Sequence, residues 1–450
     1  MKVFRFSFCF LFLALLCFCL LPIQGHAEEG TCGADATWRY EDGTLTISGS
    51  GRIEGNPWAD LPVINVIIEP GITNVPNCAF QHCESLSSVS LPDTVTEIGS
   101  SAFSGCTALT SIILPDNLTT IYSFAFHQSG LTSITLPNGV TTIHSYTFGE
   151  CRSLTTVHLS PNTNTIYACA FDGCDKLQEI QLPDSLEILE GNVFRNCRSL
   201  TSITIPDKVT VIDKGVFANC ERLSSITLPP NTTSIGLLAF DGCTNLTSIT
   251  IPAIVTQIDK KAFQNCENLK QVHISDLAAW SQIQFHDSES NPLYLGAGLY
   301  LNGKLLTDLV IPEGITAISE FAFAGYRHLE SVTLPEGVTD IGAYAFSGCT
   351  QLSSITLPGS IQTIGHKSFF HCDQLTNVLY KGTPKLLKQI QAYPYNKSLI
   401  NATWQYGAEG TMFICLRWQL CIQIATFLLY AIMVINCIVI FYRQKVYSCP

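Results

Sequence analysis

Ten histidines, twenty cysteines and 36 carboxylates are the residues of this 450-residue chain equipped for catalysis or metal binding. Their spacing decides whether they do either. Zinc hydrolysis would show a His-Glu-x-x-His helix, and acyl transfer by a serine nucleophile a Gly-x-Ser-x-Gly elbow; the chain has neither. It has no Cys-x-x-Cys and no Cys/His pairing at zinc spacing. His158 and His273 fall at outward positions of short strands, where they read as surface residues. The carboxylates cluster in turns such as "LPDTV" and "LPEGV" and read as solvated charges, not as a general acid and base held at fixed separation. "GSGRIEG", Gly49 to Gly55, has the wrong spacing for a dinucleotide loop and reads as a turn. No catalytic residue, metal ligand or cofactor is expected, and the chain is read as a non-enzyme.

The cysteines are the exception to scatter. Cys83, Cys106, Cys151, Cys174, Cys197, Cys220, Cys243, Cys266, Cys349 and Cys372 each stand three residues after a phenylalanine. One thiol per repeat at a fixed inward position is what a small buried hydrophobe does. Between the leader and the hydrophobic tail there are 13 cysteines, an odd number that cannot all pair within one chain. A reduced ladder is expected, with the state of Cys32, Cys78 and Cys169 left open.

The phenylalanines themselves recur at Phe80, Phe103, Phe126, Phe148, Phe171, Phe194, Phe217, Phe240 and Phe263, then at Phe323, Phe346 and Phe369. The step is 23 residues within each block, apart from one of 22. In "AFSGCTALTSIILPDNLTTI", Ala102 to Ile121, the Leu-x-x-Ile-x-Leu core has the period of two of a short strand, with Ile112 and Leu114 inward and Ser111 and Ile113 outward. Pro115 ends it. Leu118 and Ile121 return on a spacing of three, which suggests an irregular or 3₁₀ turn. One unit cannot enclose its own apolar face, so units stack with strands in parallel: a right-handed solenoid with a parallel β-sheet on one face and irregular turns on the other.

These residues resemble the BspA-type leucine-rich repeat family, whose pattern runs Leu-x-x-Ile-x-Leu-Pro, then Val-x-x-Ile-Gly, then Ala-Phe-x-x-Cys. The resemblance covers Val63 to Tyr380 in twelve units. It implies a curved extracellular scaffold that binds through its surface, and it implies no particular ligand.

The rest of the chain divides around the repeats. Residues 1–27 read as a signal peptide: Lys2 and Arg5, an uncharged run, then "GHA". Residues 28–62 read as an N-terminal β cap with a hairpin at Asp42-Gly43. The repeats occupy 63–275 and 309–380, separated by an insertion at 276–308 that carries a hairpin at Asn302-Gly303 and is expected to protrude. A C-terminal cap or linker follows at 381–410. Residues 420–442 lack charge over a length that suits a single membrane-spanning helix, and Arg443 and Lys445 behind it favour a cytoplasmic tail at 443–450. The alternative is that this tail is foreign to the domain, since composition changes abruptly after Gly410. The expected location is the extracellular face of the cell membrane. Residues 28–410 carry 19 cations against 36 carboxylates, a formal charge of −17. Phosphate backbones would repel such a body, so nucleic acid is excluded as a partner.

One large surface is not dictated by the core. The two positions flanking the central Val or Ile of the strands read Ser133 and Thr135, Ser202 and Thr204, Ser225 and Thr227, Ser248 and Thr250, Ser331 and Thr333, Ser354 and Thr356. Solubility and strand preference explain Ser and Thr there equally well as binding does. As a binding face, a flat hydroxyl ladder suits an extracellular protein or glycan, and adhesion to host protein, matrix or glycan is the function expected. The competing reading is a structural spacer or an ordered-surface binder, such as one that templates ice.

Overall fold

The computed structural model describes residues 27–407. Residues 1–26 and 408–450, which hold most of the expected leader and all of the membrane span at 420–442, lie outside them. Among the described residues no helix is long and apolar enough to cross a membrane.

Alternation in Leu-x-x-Ile-x-Leu produces strands of three residues with a buried centre. In Ser202–Thr204 and Ser225–Thr227 the flanking side chains are exposed and Ile203 and Ile226 are buried. Successive strands pair in parallel one repeat apart, Ser202 opposite Ser225 and Thr204 opposite Thr227. The result is a parallel-strand β-solenoid of about 16 turns with the leucine-rich repeat fold.

The opposite face differs from the irregular turn expected there. Thr120–Ile121, Thr142–Ile143, Thr165–Ile166 and their equivalents are two-residue strands, and they pair in parallel from coil to coil. The spacing of three between Leu118 and Ile121 records only which side chains point inward. It says nothing of two extended residues that meet their own copies one coil on. The solenoid therefore has two hydrogen-bonded faces, one of three-residue and one of two-residue strands.

Between them the register Phe sits in a corner built from left-handed residues. The positions two before and two after Phe103 and Phe126 have φ near +60°: Ser101, Gly105, Phe124 and Gln128. Such backbone costs a non-glycine residue about 1 kcal/mol or more, and no β-branched residue is found at these positions. What offsets the cost is a third ladder. Ser101, Phe103 and Gly105 donate their N–H groups to Ser123, Ala125 and His127 of the next coil at 3.1, 2.7 and 2.8 Å.

Inside the corner the phenyl rings stack. From Phe80 to Phe263 the centroids are 5.3 to 5.9 Å apart and the planes nearly parallel. Trp58 heads the row, 5.8 Å from Phe80, and its indole N–H donates to Ala79 O at 2.8 Å. The last ladder of that block ends on acceptors from the next segment: Lys261 N–H donates to Asp287 Oδ1 at 3.2 Å and Phe263 N–H to Glu289 O at 3.1 Å.

That segment, 276–308, is built into the solenoid where a protrusion was expected. Asp276 caps helix α1 (Leu277–Gln282), accepting from the Ala278 and Ala279 N–H groups. Leu277, Trp280, Ile283, Phe285, Leu293 and Leu299 are buried. Gln284–Phe285 and Gly298–Leu301 extend the two sheet faces in parallel. Trp280 makes the same hydrogen bond as Trp58, its indole N–H donating to Ala322 O at 2.9 Å ahead of a second phenyl row, Phe323, Phe346 and Phe369, while its ring packs on Phe285 at 5.4 Å. Apolar burial explains the difference: the segment lacks the Phe register but carries enough hydrophobic side chains to close a coil of its own. Its hairpin, where Gly298–Leu301 turns back onto Lys304–Leu305, has an exposed tip at Asn302 and Gly303.

Both ends are closed by paired backbone. Strands β1 (Glu28–Thr31), β2 (Asp35–Glu41) and β3 (Thr44–Ser50) pair antiparallel, with Asp42-Gly43 as the turn, and β3 then pairs in parallel with β4 (Asn65–Ile68). At the other end Thr403–Tyr406 pairs with Asn377–Tyr380, burying Trp404 and Tyr406, while Phe369 N–H donates to Asn396 Oδ1 at 2.9 Å.

Candidate binding surface

The strand face has two classes of hydroxyl. Those one residue ahead of the strands hold coils together: Thr155 donates to Thr132 O at 2.9 Å, Ser224 to Thr201 O at 3.2 Å and Ser353 to Glu330 O at 3.1 Å. Those within the strands do not. Of Ser133, Thr135, Ser202, Thr204, Ser225, Thr227, Ser248, Thr250, Ser331, Thr333, Ser354 and Thr356, only Ser331 uses its hydroxyl on a neighbour among the described residues, donating to Asp308 Oδ1. Eleven outward hydroxyls are left for solvent or a ligand.

The ladder is interrupted, however, and is not the flat continuous array its sequence spacing suggests. The coil of Phe103 forms no strand at Ser111–Ile113, and Ile113 stands 87 % exposed there. Thr135 lies opposite His158, and Thr250 opposite His273, whose ring is 5.0 Å from Tyr300. Hydroxyl faces hydroxyl in register at Ser202–Ser225, Thr204–Thr227, Ser331–Ser354 and Thr333–Thr356. Short hydroxyl patches bounded by larger side chains are therefore what the face presents.

The cysteines are packing groups. All thirteen among the described residues are free thiols. From Cys106 to Cys372 each register thiol donates to the carbonyl of the Phe one coil back, Cys220 to Phe194 at 3.1 Å and Cys243 to Phe217 at 3.2 Å. Burial pushes the pKa of Cys106 and of Cys266 up to about 12, and that of Cys151 to about 11. Thiols held protonated in this way are neither nucleophiles nor metal ligands at neutral pH. Among the described residues no three His, Cys, Asp or Glu side chains converge to hold a metal ion.

A second surface was missed by reading the strands alone. Four residues before the register Phe, three consecutive coils carry Tyr122, His144 and Tyr167, with ring centroids 5.7 and 5.6 Å apart. Two residues before it, Phe124 and Tyr146 stack at 4.8 Å, and His127 meets both edge-on. Burial lowers the pKa of His127 and His144, so both rings are neutral at pH 7. Beside this cluster the buried Asp172 accepts from Arg195 Nε at 3.1 Å and from Asn196 Nδ2 at 3.0 Å. The signal was legible as "IYSFAF", "IHSYTF" and "IYACAF", once the corner geometry showed which columns face out.

Comparison with known proteins agrees with this architecture. The family model described as the BspA type leucine rich repeat region matches in six copies over residues 73–201, 188–291 and 294–403. The chain belongs to the BspA-type leucine-rich repeat family. No curated protein matches it. Among solved structures, a leucine-rich repeat protein from Bacteroides ovatus is 24 % identical, with a TM-score of 0.52 over 83 % of this chain and 98 % of that one, and shares the solenoid fold. A leucine rich cell surface protein from Faecalibacterium prausnitzii is 25 % identical, with a TM-score of 0.36 over 81 % and 97 % of the two chains. A leucine-rich repeat protein from Eubacterium ventriosum is 23 % identical, with a TM-score of 0.38 over 77 % and 95 %.

Proposed function

We propose that this BspA-type solenoid is a non-enzymatic cell-surface protein that binds an extracellular protein or glycan through the outward face of its strands. The observation that carries the reading is the set of eleven strand hydroxyls without an internal partner, set against neighbouring hydroxyls that are consumed by coil-to-coil bonds. Rows of uncharged donors and acceptors suit a polar, extended ligand. Export by residues 1–27 and retention by a helix at 420–442 complete the proposal, placing the solenoid outside the cell.

The test is a pull-down from host extracellular extract with the parent and two triple variants. Replacing Thr204, Thr227 and Thr250 with Lys should abolish capture. All three side chains are exposed, so the fold should survive at about 0.5 kcal/mol or less per site. Replacing the exposed turn residues Asp207, Asn231 and Ala253 with Lys controls for the added charge and should leave capture intact. Equal capture by both triple variants would remove the strand face as the site.

A further inference from the structure

We propose that the C-terminal cap is a docking surface for anionic lipid headgroups, seating the solenoid end-on against the membrane that its anchor enters. The identity of that membrane rests on the anchor proposed above. The chemistry rests on the cap itself.

Charge is divided unevenly along the solenoid. Residues 28–373 carry 15 cations against 35 carboxylates, a formal charge of −20. Residues 374–407 carry Lys381, Lys385, Lys388 and Lys397 and no carboxylate. All four lysines are exposed. Elsewhere cations are spent on ion pairs, Lys208 with Glu187 at 2.8 Å and Arg52 with Glu97 at 2.9 Å, whereas none of the four has a carboxylate partner among the described residues. Their charge faces outward.

The same end leaves apolar surface uncovered. Leu386 is 42 % exposed, Tyr393 43 % and Tyr395 56 %. The short helix Pro384–Leu387, whose Leu386 N–H donates to Thr383 Oγ1 at 3.3 Å, places Lys385 beside Leu386. Gln391–Ala392 and Thr403–Tyr406 are the last strands of their sheets, so among the described residues no further coil covers this end. Lysines interleaved with aliphatic and aromatic side chains suit a lipid interface. Ammonium groups meet headgroup phosphates, and tyrosine rings lie at headgroup depth with the hydroxyl in water.

Chain length makes the encounter intramolecular. Twelve residues, 408–419, separate the last described strand from the uncharged run at 420–442, a reach of about 40 Å at full extension. An anionic surface repels the −20 body while it attracts the cap, so the solenoid stands on its end and does not lie flat. About 16 coils at about 4.8 Å each then hold the N-terminal cap about 75 Å from the lipid, with the strand face open to the side. The rival occupant is the N-terminal cap of a second copy, residues 28–62, with 2 cations against 7 carboxylates. The anchor disfavours it, because it holds the C-terminal end of every copy at the lipid and the N-terminal end away from it.

Co-sedimentation with vesicles tests this. The described residues close both ends of the solenoid with their own strands, so residues 28–407 fold without the tail and serve as a soluble probe. They should bind phosphatidylcholine vesicles containing about 30 % phosphatidylglycerol at least about tenfold more tightly than phosphatidylcholine alone. Lys381→Gln, Lys385→Gln, Lys388→Gln and Lys397→Gln together should remove that preference. The matched control, Lys208→Gln, Lys260→Gln, Lys270→Gln and Lys304→Gln, should stay within about threefold of the parent, since these exposed lysines lie off the cap. Leu386→Ser with Tyr393→Ser should weaken binding about fivefold. If the cap variant fails to fold, salt decides: the parent's preference should drop at least about fivefold between about 0.1 and about 0.5 M NaCl, as screening shortens the reach of the lysines. Carbonate extraction of the full-length chain reads the anchor separately, so failure of the anchor and failure of cap docking are told apart. No vesicle binding, equal binding to both vesicles, an unchanged preference in the cap variant, equal loss in the control, or light scattering that shows the cap joining a second copy in place of lipid would each overturn the proposal.

Discussion

Replacing Cys220 isolates what the thiol ladder contributes. The side chain is fully buried, and its Sγ donates to Phe194 O at 3.1 Å. A buried hydroxyl with no partner would cost about 1–3 kcal/mol, but serine at this position would find that carbonyl waiting. The chain already holds one serine in such a slot, Ser129 after Phe126, which is buried and finds a partner for its Oγ in Cys151 Sγ at 3.3 Å, not in the Phe103 carbonyl. Cys220→Ser should therefore cost about 1 kcal/mol, the loss of a larger and more polarisable atom. Cys220→Ala should cost about 2 kcal/mol, since it removes the sulfur and leaves a void. The alanine penalty stays small because Phe194 O keeps a second donor, the Cys197 N–H at 3.1 Å. Urea denaturation followed by circular dichroism, with the dependence on urea unchanged, reads both values. A serine variant that loses 3 kcal/mol or more, or that is clearly worse than alanine, would refute the account of the thiol as a satisfied donor.

Two further outcomes follow from the core. Folded Cys106 and Cys266 hold their protons to about pH 12, against an ordinary value of 9.0. Folded and unfolded states then bind equal protons below pH 9, and above it the unfolded state sheds them first, so stability is flat below pH 9 and falls between 9 and 12. At pH 10 each such thiol costs about 1.4 kcal/mol, and a Cys106→Ala and Cys266→Ala double variant should lose about 3 kcal/mol less than the parent between pH 8 and 10 in urea titrations. Phe217→Ala should cost about 5 kcal/mol and Phe263→Ala about 1 kcal/mol less, because Phe217 stacks on rings at 5.9 and 5.6 Å whereas Phe263 ends its row on one at 5.3 Å; equal losses in urea would mean that stacking adds nothing beyond burial.

Residues that face inward announced themselves in the sequence. Phe103, Cys106, Leu109, Ile112 and Ile121 recur because the core admits few alternatives, and all five are buried. What backbone does between inward residues was silent. Thr120–Ile121 pairs as a strand because the coil rise repeats, not because of its own propensity. Phe124, Tyr146, Leu238 and Lys261 adopt left-handed φ although none is a turn former, since the ladder to the next coil holds them there. The 276–308 segment misled for the opposite reason: without a register Phe it looked like an excursion, although Leu277, Trp280, Phe285 and Leu293 bury enough apolar surface to close a coil. At the surface, the hydroxyl columns were visible in the sequence, but their division into structural and unengaged hydroxyls required the hydrogen bonds.

The corner ladder gives one edge of the solenoid an electrical direction, opposite to that of bonds such as Gly99 N–H to Val75 O and Gly130 N–H to Cys106 O elsewhere in the coil. Every peptide that donates from one Phe corner to the next points its N–H toward the C-terminal end, so the dipoles add along the axis as in a helix, with the chain sense reversed. The electronegative end of each stack meets an indole N–H, Trp58 on Ala79 and Trp280 on Ala322. The electropositive end meets oxygen, the Asp287 carboxylate in the first block and the Asn396 amide in the second. The Phe corners thus form two dipoles in series, and residues 276–308 are the junction where the positive pole of one corner row faces the negative pole of the other. Coil number can vary inside a block without changing either pole, whereas the few residues that terminate a block are fixed by the charge they must answer.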